Sequence, residues 1–297
     1  SYSLFCSLSE STFSKVRGSS ENSVEDSFIN SIKELNLIKK LIIIMKTTIQ
    51  KTALRLLLLV TFSTLLLSCN SDNDDDNTQQ LYGETVRMYD GNVTNWIKTK
   101  NDSPLELGIT FDMEALNSLP TMADDIFKLD ISETAKALTT IDHIELNWAH
   151  EGHDPAGIYN LPHFDMHYYM ISEQEVEETI DIPTMQIAPA SDYLPANYIP
   201  GPPVPMNGKH WIYQFSPELN GGAFTQTFIY GSNNGEVTFI EPMITQAFLT
   251  STTYFERELP SPAKVSRTGY YPTKMRIVKK NNKVSVILSR FFYRFAM

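Results

Sequence analysis

Apolar and polar residues alternate over several stretches of the chain, a pattern typical of strands with one buried face. Every second position is apolar in residues 143–148, and residues 81–88 and 105–111 are also predicted to be strands. Two further pairs of strands flank short turn-forming segments and are predicted to be antiparallel hairpins: residues 224–230 with 236–240, and residues 275–278 with 284–288.

Helical patterns are few and short. The candidate helices are residues 113–119, 132–138 and 172–180. The last begins with Ser172 and Glu175, which are spaced as in a capping box. Together these elements predict a mainly β domain, either an antiparallel sandwich or a squat barrel, with a few short helices.

Residues 183–206 contain seven prolines, which exclude regular strand pairing over much of that span. We predict a long surface loop there. Two interpretations stay open: a lid or binding loop, and a rigid strap that covers a sheet edge.

A hydrophobic run in the first quarter of the chain has the composition of a bacterial lipoprotein signal. Residues 45–68 begin with Met45 and several basic residues, continue with an apolar core at 56–67, and end in a serine before Cys69. This core is shorter than the roughly 20 apolar residues that a helix needs to cross a bilayer. We therefore interpret residues 45–68 as a signal peptide and Cys69 as the lipidation site. Residues 1–44 are interpreted as upstream, untranslated sequence.

Residues 69–80 contain four aspartates and, after the cysteine, no apolar residue, so they predict a hydrated tether. This segment is similar to the acidic tag of surface-exported lipoproteins. Residues 81–297 are then expected to form a single β-rich domain. The expected location is the cell envelope, as an outer membrane lipoprotein, and exposure on the cell surface is left open.

The formal net charge of −11 makes nucleic acid an unsuitable partner. The predicted partner is the membrane, through the lipid anchor. A homo-oligomer or a second envelope protein stays open as a further partner. The two cysteines, Cys6 and Cys69, leave the mature domain without an intramolecular disulfide.

Five of the six histidines lie between residues 143 and 167. Imidazole is the commonest side-chain metal ligand and titrates near neutral pH, so this cluster indicates a metal site or a proton-transfer site. The expected cofactor is a divalent transition metal such as zinc. The candidate ligands are His153, His163, Asp165 and His167, with His210 and Glu241 as further candidates outside the cluster.

The geometry of these candidates depends on the structure after Pro162. Alternating aromatic and polar residues predict a strand over residues 163–170. In a strand, His163 and His167 would lie roughly 13 Å apart, too far to share an ion with bonds of about 2.0 Å, and Asp165 would pair with one histidine only. In a helix, the two histidines would be an i,i+4 pair able to chelate an ion directly.

Two other interpretations of the cluster stay open. Histidines and aspartates on one strand face can simply hydrogen-bond to each other, and the same groups can serve acid/base catalysis without a metal. The sequence contains no G-x-S-x-G nucleophile motif. Whether the protein is an enzyme is left undecided.

Residues 152–169, GHDPAGIYNLPHFDMHYY, resemble the core motif of a family of secreted bacterial β-rich domains of unknown function, G-H-x-P-x-G-x-Y-x-x-P-H-F-D-x-H-F-Y. Residues 208–211 and 239–243 are similar to later motifs of that family, so the resemblance covers roughly residues 81–290. Tyr168 replaces the usual phenylalanine, and the residues before Gly152 differ from the usual lead-in. The resemblance implies a secreted β-rich fold and no particular reaction.

The sequence therefore predicts a lipid-anchored envelope protein with a His/Asp-rich divalent-metal site and an unassigned reaction. The alternative is a non-catalytic binding or assembly lipoprotein in which the histidine cluster is structural.

Overall fold

The computed structural model describes residues 77–297. The predicted leader, signal peptide and lipidation site, and most of the predicted tether, lie outside the described residues. Within residues 77–297, no helix is both long and apolar enough to cross a membrane.

The first sheet has six antiparallel strands in the order β1-β2-β3-β14-β13-β11. Their bounds are β1 Thr78–Met88, β2 Gly91–Lys100, β3 Ser103–Asp112, β11 Tyr254–Glu258, β13 Lys274–Lys280 and β14 Lys283–Ser289.

The second sheet has seven antiparallel strands in the order β4-β5-β6-β10-β9-β8-β7. Their bounds are β4 Asp125–Asp130, β5 His143–Ala149, β6 His163–Tyr169, β7 Tyr198–Val204, β8 Gly208–Tyr213, β9 Gln226–Asn233 and β10 Glu236–Thr245.

A third, two-stranded sheet pairs β12, Gly269–Tyr271, with β15, Phe292–Arg294. Five short α-helices connect the strands of the described chain: α1 Met113–Asn117, α2 Glu133–Leu138, α3 Glu173–Glu177, α4 Ile182–Met185 and α5 Gln246–Ser251. Two 3₁₀ turns lie at Ser191–Tyr193 and Pro217–Asn220.

The core lies between the two large sheets. Phe111 from β3 meets Phe164 from β6, with ring centroids 5.4 Å apart, and Trp148 from β5 lies 5.1 Å from the same Phe164 ring. One buried apolar cluster includes side chains of both sheets. The sheets of residues 77–297 do not close into a barrel, so the sandwich is the confirmed alternative.

Both predicted hairpins are confirmed, although their turns are shorter than predicted. The β9–β10 turn is Asn234-Gly235 and the β13–β14 turn is Asn281-Asn282, and all four residues have positive φ. Two-residue turns with positive φ match the twist of the flanking strands and favour Asn and Gly.

The proline-rich span differs from its prediction. Residues 198–204 form the edge strand β7, which pairs with β8. Prolines are tolerated there because an edge strand leaves one side of its backbone unpaired, and the register shifts between Pro200 and Pro203.

The three predicted helices are present in shortened form, and the capping box of Ser172 and Glu175 is confirmed. The sequence interpretation missed α4, α5 and the strands β2, β4, β7, β8, β11, β12 and β15. Two buried positions of β2 hold the polar residues Asn95 and Thr99, so its sequence lacks the clear apolar alternation that marks a half-buried strand.

Candidate metal centre

The second sheet carries polar residues on the face that points away from the sandwich core. On β6, His163, Asp165 and His167 share this face, while Phe164 and Met166 point into the core. The strand predicted after Pro162 is confirmed, and the helical alternative is wrong.

The connection between β5 and β6 folds back over this outer face. Gly152 has a φ of 75°, and the backbone N–H of His153 donates to the carbonyl of Tyr159 at 3.3 Å. A Cβ at position 152 would lie 1.9 Å from the Tyr159 carbonyl oxygen, so the fold-back requires glycine. This fold-back brings His153 beside β6.

Three side chains converge there and form the first group, His153, His163 and Asp165. Asp165 Oδ2 lies 3.2 Å from His153 Nε2, and Asp165 Oδ1 lies 3.0 Å from His163 Nε2. His163 is fully buried, whereas 42% of the His153 side chain is exposed. The group therefore reaches from the interior to the surface.

The backbone orients both imidazoles of the first group. Nδ1 of His163 lies 2.6 Å from the carbonyl oxygen of Leu161, and Nδ1 of His153 lies 2.7 Å from that of Asp154. A carbonyl oxygen only accepts, so each Nδ1 carries a proton and each Nε2 faces Asp165. Metal-ligating histidines are commonly held in this way.

One contact of the first group stays unsatisfied. His163 Nε2 and Asp165 Oδ1 are both buried, and neither has a hydrogen-bond partner, although they lie 3.0 Å apart. Unpaired buried polar atoms are rare in folded proteins and require an explanation.

The prediction that Asp165 would pair with one histidine only is wrong. The carboxylate has two oxygens, and each faces a different imidazole. The second histidine comes from the folded-back loop, and the geometry of a single strand cannot include it.

Side chains of the first group also shift one another's pKa. Burial alone would lower the pKa of His153, but its hydrogen bond to Asp165 and the carboxylate charge outweigh burial and raise the pKa to about 9. Burial alone would raise the pKa of Asp165, but its hydrogen bond with His153 outweighs burial and holds the pKa well below its ordinary value. In the absence of a metal, His153 and Asp165 thus form an ion pair at neutral pH.

A second group consists of His167 on β6, His210 on β8 and Glu241 on β10. His167 Nε2 lies 3.7 Å from Glu241 Oε1, and His210 Nε2 lies 3.6 Å from Glu241 Oε2. All three side chains are at least mostly buried. His163 and His167 therefore belong to different groups, as their expected separation along a strand implies.

Burial disfavours the charged form of each member of the second group. It lowers the pKa of His167 to about 3 and also lowers the pKa of His210. Burial, together with the negative charge of Asp165, raises the pKa of Glu241 well above its ordinary value.

Phe239 supports the second group through an arrangement that the sequence interpretation missed. Its ring centroid lies 5.0 Å from that of His167 and 5.4 Å from that of His210. Gly231 lies opposite Phe239 in the β9–β10 register, and a Cβ there would lie 1.9 Å from the Phe239 ring. A bulge after Val237 shifts the β9–β10 register by one residue, so the Asn234-Gly235 turn alone could not have revealed this pairing.

Both groups border one cavity of about 470 Å³. Its polar lining includes His153, Asp165, His167, His210 and Glu241. Its other walls include Pro155, Tyr159, Pro202, Val204, Ile212, Ile229 and Met243. The proline-rich span thus contributes two wall residues, which the sequence could not place.

Two histidines of the sequence cluster belong to neither group. His150 Nδ1 pairs with Asp124 at 2.6 Å, and His143 Nδ1 pairs with Asp142 at 3.0 Å. His150 is therefore a suitable control position for substitutions in either group.

The described chain is thus an antiparallel β-sandwich with two His/carboxylate groups of a composition and spacing that can hold a metal ion. Comparisons with protein-family models, curated proteins and solved structures find no match to this chain.

Proposed function

We propose that the first group, His153, His163 and Asp165, is a divalent transition-metal centre, with zinc as the expected ion. The observation that carries the proposal is the unsatisfied buried pair of His163 Nε2 and Asp165 Oδ1, 3.0 Å apart. A cation between a nitrogen lone pair and a carboxylate oxygen satisfies both atoms.

The ligand chemistry supports a transition metal. Two imidazoles and one carboxylate suit zinc and similar ions, whereas Mg²⁺ and Ca²⁺ prefer oxygen ligands. The backbone carbonyls of Leu161 and Asp154 hold the Nδ1 atoms, so both Nε2 atoms are already aimed at Asp165.

The cavity supports a reactive rather than a closed structural site. Structural zinc sites have four protein ligands, whereas catalytic sites have three and an open position. An ion at such a site supplies Lewis-acid chemistry to a bound molecule. His153 and Asp165 line the cavity, so a small molecule could reach the open position. A purely structural histidine cluster would not need to be reachable by a small molecule. The proline-rich span also contributes Pro202 and Val204 to the cavity wall, so it does more than cover a sheet edge.

Replacing His163 with alanine is expected to abolish zinc binding by the first group. The test is elemental mass spectrometry with zinc titration on the full chain, purified in detergent with a histidine-free affinity tag. His150→Ala is the matched control, because His150 lies in neither group, and it should keep wild-type zinc content. An unchanged zinc content in folded His163→Ala protein would refute this proposal.

We further propose that the protein is a lipoprotein of the cell envelope, anchored through Cys69 and oriented by an acidic tether. The support is the basic start, short apolar core and following aspartates of residues 45–80. The resemblance of residues 152–169 to secreted domains agrees with this location and stays a prediction.

Changing Cys69 to serine is expected to move the protein from the membrane to the soluble fraction, because serine cannot carry the thioether-linked lipid. Fractionation of cells that express each form measures this directly. The Ser71→Ala variant, changed two residues after Cys69, is the control and should stay in the membrane fraction. Firm membrane attachment of Cys69→Ser would contradict lipidation at this residue.

A further inference from the structure

The second group shares no side chain with the first. Its three members come from three strands, β6, β8 and β10, while the first group uses β6 and the loop before it. Both groups border the same cavity.

We infer that His167, His210 and Glu241 form a second divalent transition-metal site, so that the cavity holds two ions. The inference goes beyond the proposed function, because the ligands are three other side chains and the site can be tested separately.

The distances within this group suit an ion better than hydrogen bonds. The separations of 3.7 Å and 3.6 Å between the histidine nitrogens and the Glu241 oxygens exceed the usual hydrogen-bond range of roughly 2.7–3.2 Å. Two ligands that each lie about 2.1 Å from one tetrahedral ion are roughly 3.4 Å apart. The three side chains therefore leave a space of the size that a metal ion fills.

The polar atoms that surround this space are buried and lack hydrogen-bond partners. Only 2% of the Glu241 side chain and 1% of the His167 side chain are exposed. Glu241 Oε2 and both ring nitrogens of His167 are buried without a hydrogen-bond partner. Unpartnered buried polar atoms are destabilising, and a shared cation would satisfy the carboxylate and an imidazole together.

The surroundings hold the ligands in place before any ion binds. His210 Nδ1 lies 3.3 Å from the carbonyl oxygen of Pro202 on β7, which leaves Nε2 directed at Glu241. Phe239 packs against the rings of His167 and His210, and Gly231 leaves the space that Phe239 needs. Such supporting contacts are typical of metal sites.

The donor set predicts the kind of ion. Two imidazoles and one carboxylate select Zn²⁺, Co²⁺ or a similar ion over Mg²⁺. Because His167, His210 and Glu241 all line the cavity, the fourth position of the ion would face the same space as the first site.

The test is a titration of the metal-free full chain with Zn²⁺ and, in parallel, with Co²⁺, whose visible absorption reports nitrogen and oxygen coordination. We expect two ions per wild-type chain. His210→Gln and Glu241→Gln should each bind one ion, with the cobalt absorption reduced by about half. Both changes keep the size and polarity of the side chain, and circular dichroism checks that each variant is folded.

Two further variants separate this inference from the proposed function. His163→Ala should lose the other ion and keep the one at Glu241, and the control His150→Ala should keep both. Two ions in both folded glutamine variants, or a single wild-type ion that only His163→Ala removes, would overturn the second site and leave the first standing. A single wild-type ion that the glutamine variants remove and His163→Ala does not would support the second site and refute the first.

Discussion

Zinc at about 100 times its dissociation constant is expected to raise the free energy of unfolding by about 2.7 kcal/mol for one site. For a domain of this size that corresponds to an increase in the melting temperature of roughly 5–10 °C. The physical reason is that the ligands converge only in the folded state, so the ion binds the folded chain selectively. Differential scanning calorimetry with and without zinc measures the shift.

The zinc-induced shift should grow as the pH rises from about 6 to 9. His153 has a pKa of about 9 in the metal-free protein, so zinc must displace a proton from it below that pH. The raised pKa also means that the His153–Asp165 ion pair stabilises the metal-free fold fully below the ordinary pKa of 6.5, and that this contribution is lost as the pH rises through 9. These are two descriptions of the same proton release, and it increases the difference between zinc-bound and metal-free protein at higher pH.

Two variants provide the controls for this experiment, one in the first group and one outside both groups. His163→Ala should reduce the zinc-induced shift, whereas His150→Ala should show the wild-type shift at every pH. A shift that shrinks with rising pH, or one that His163→Ala leaves unchanged, would count against zinc binding at His153 and His163.

Replacing Phe164 with alanine is expected to lower the free energy of unfolding by about 3–5 kcal/mol. Phe164 is fully buried between the two sheets and contacts the rings of Phe111 and Trp148. Its removal leaves a cavity at the centre of the sandwich. Because Phe164 lies between His163 and Asp165 on β6, we also expect weaker zinc binding. Urea denaturation monitored by circular dichroism measures the first effect, and zinc titration measures the second.

Phe292→Ala is the matched control for this substitution, because 64% of Phe292 is exposed. The same chemical change there should alter the free energy of unfolding by no more than about 0.5 kcal/mol. Equal small effects of the two substitutions would show that Phe164 does not hold the sheets together.

Local patterns were sufficient to predict the elements that depend on neighbouring residues. The alternation in β5 and β6, the Asn and Gly turns of both hairpins, and the Ser172–Glu175 capping box all act within a few residues. The strands β2 and β7 were missed for different reasons. β2 buries the polar residues Asn95 and Thr99, and the prolines of β7 are tolerated only because it lies at a sheet edge.

The candidate ligands were named from the sequence, but their grouping was not. Imidazole and carboxylate chemistry alone identified His153, His163, Asp165, His167, His210 and Glu241 as candidates. Strand geometry also excluded a single ion shared by His163 and His167. It did not reveal that His153 reaches Asp165, or that His210 reaches Glu241 across the sheet.

By itself the sequence determined the class of fold and the position of the β6 candidates on one strand face. The tertiary structure alone decided that the six candidates divide into two groups around one cavity. The physical reason is that side-chain alternation and turn chemistry are local. The strand order that brings β8 near β10, and the fold-back of the β5–β6 loop, depend on packing between distant parts of the chain.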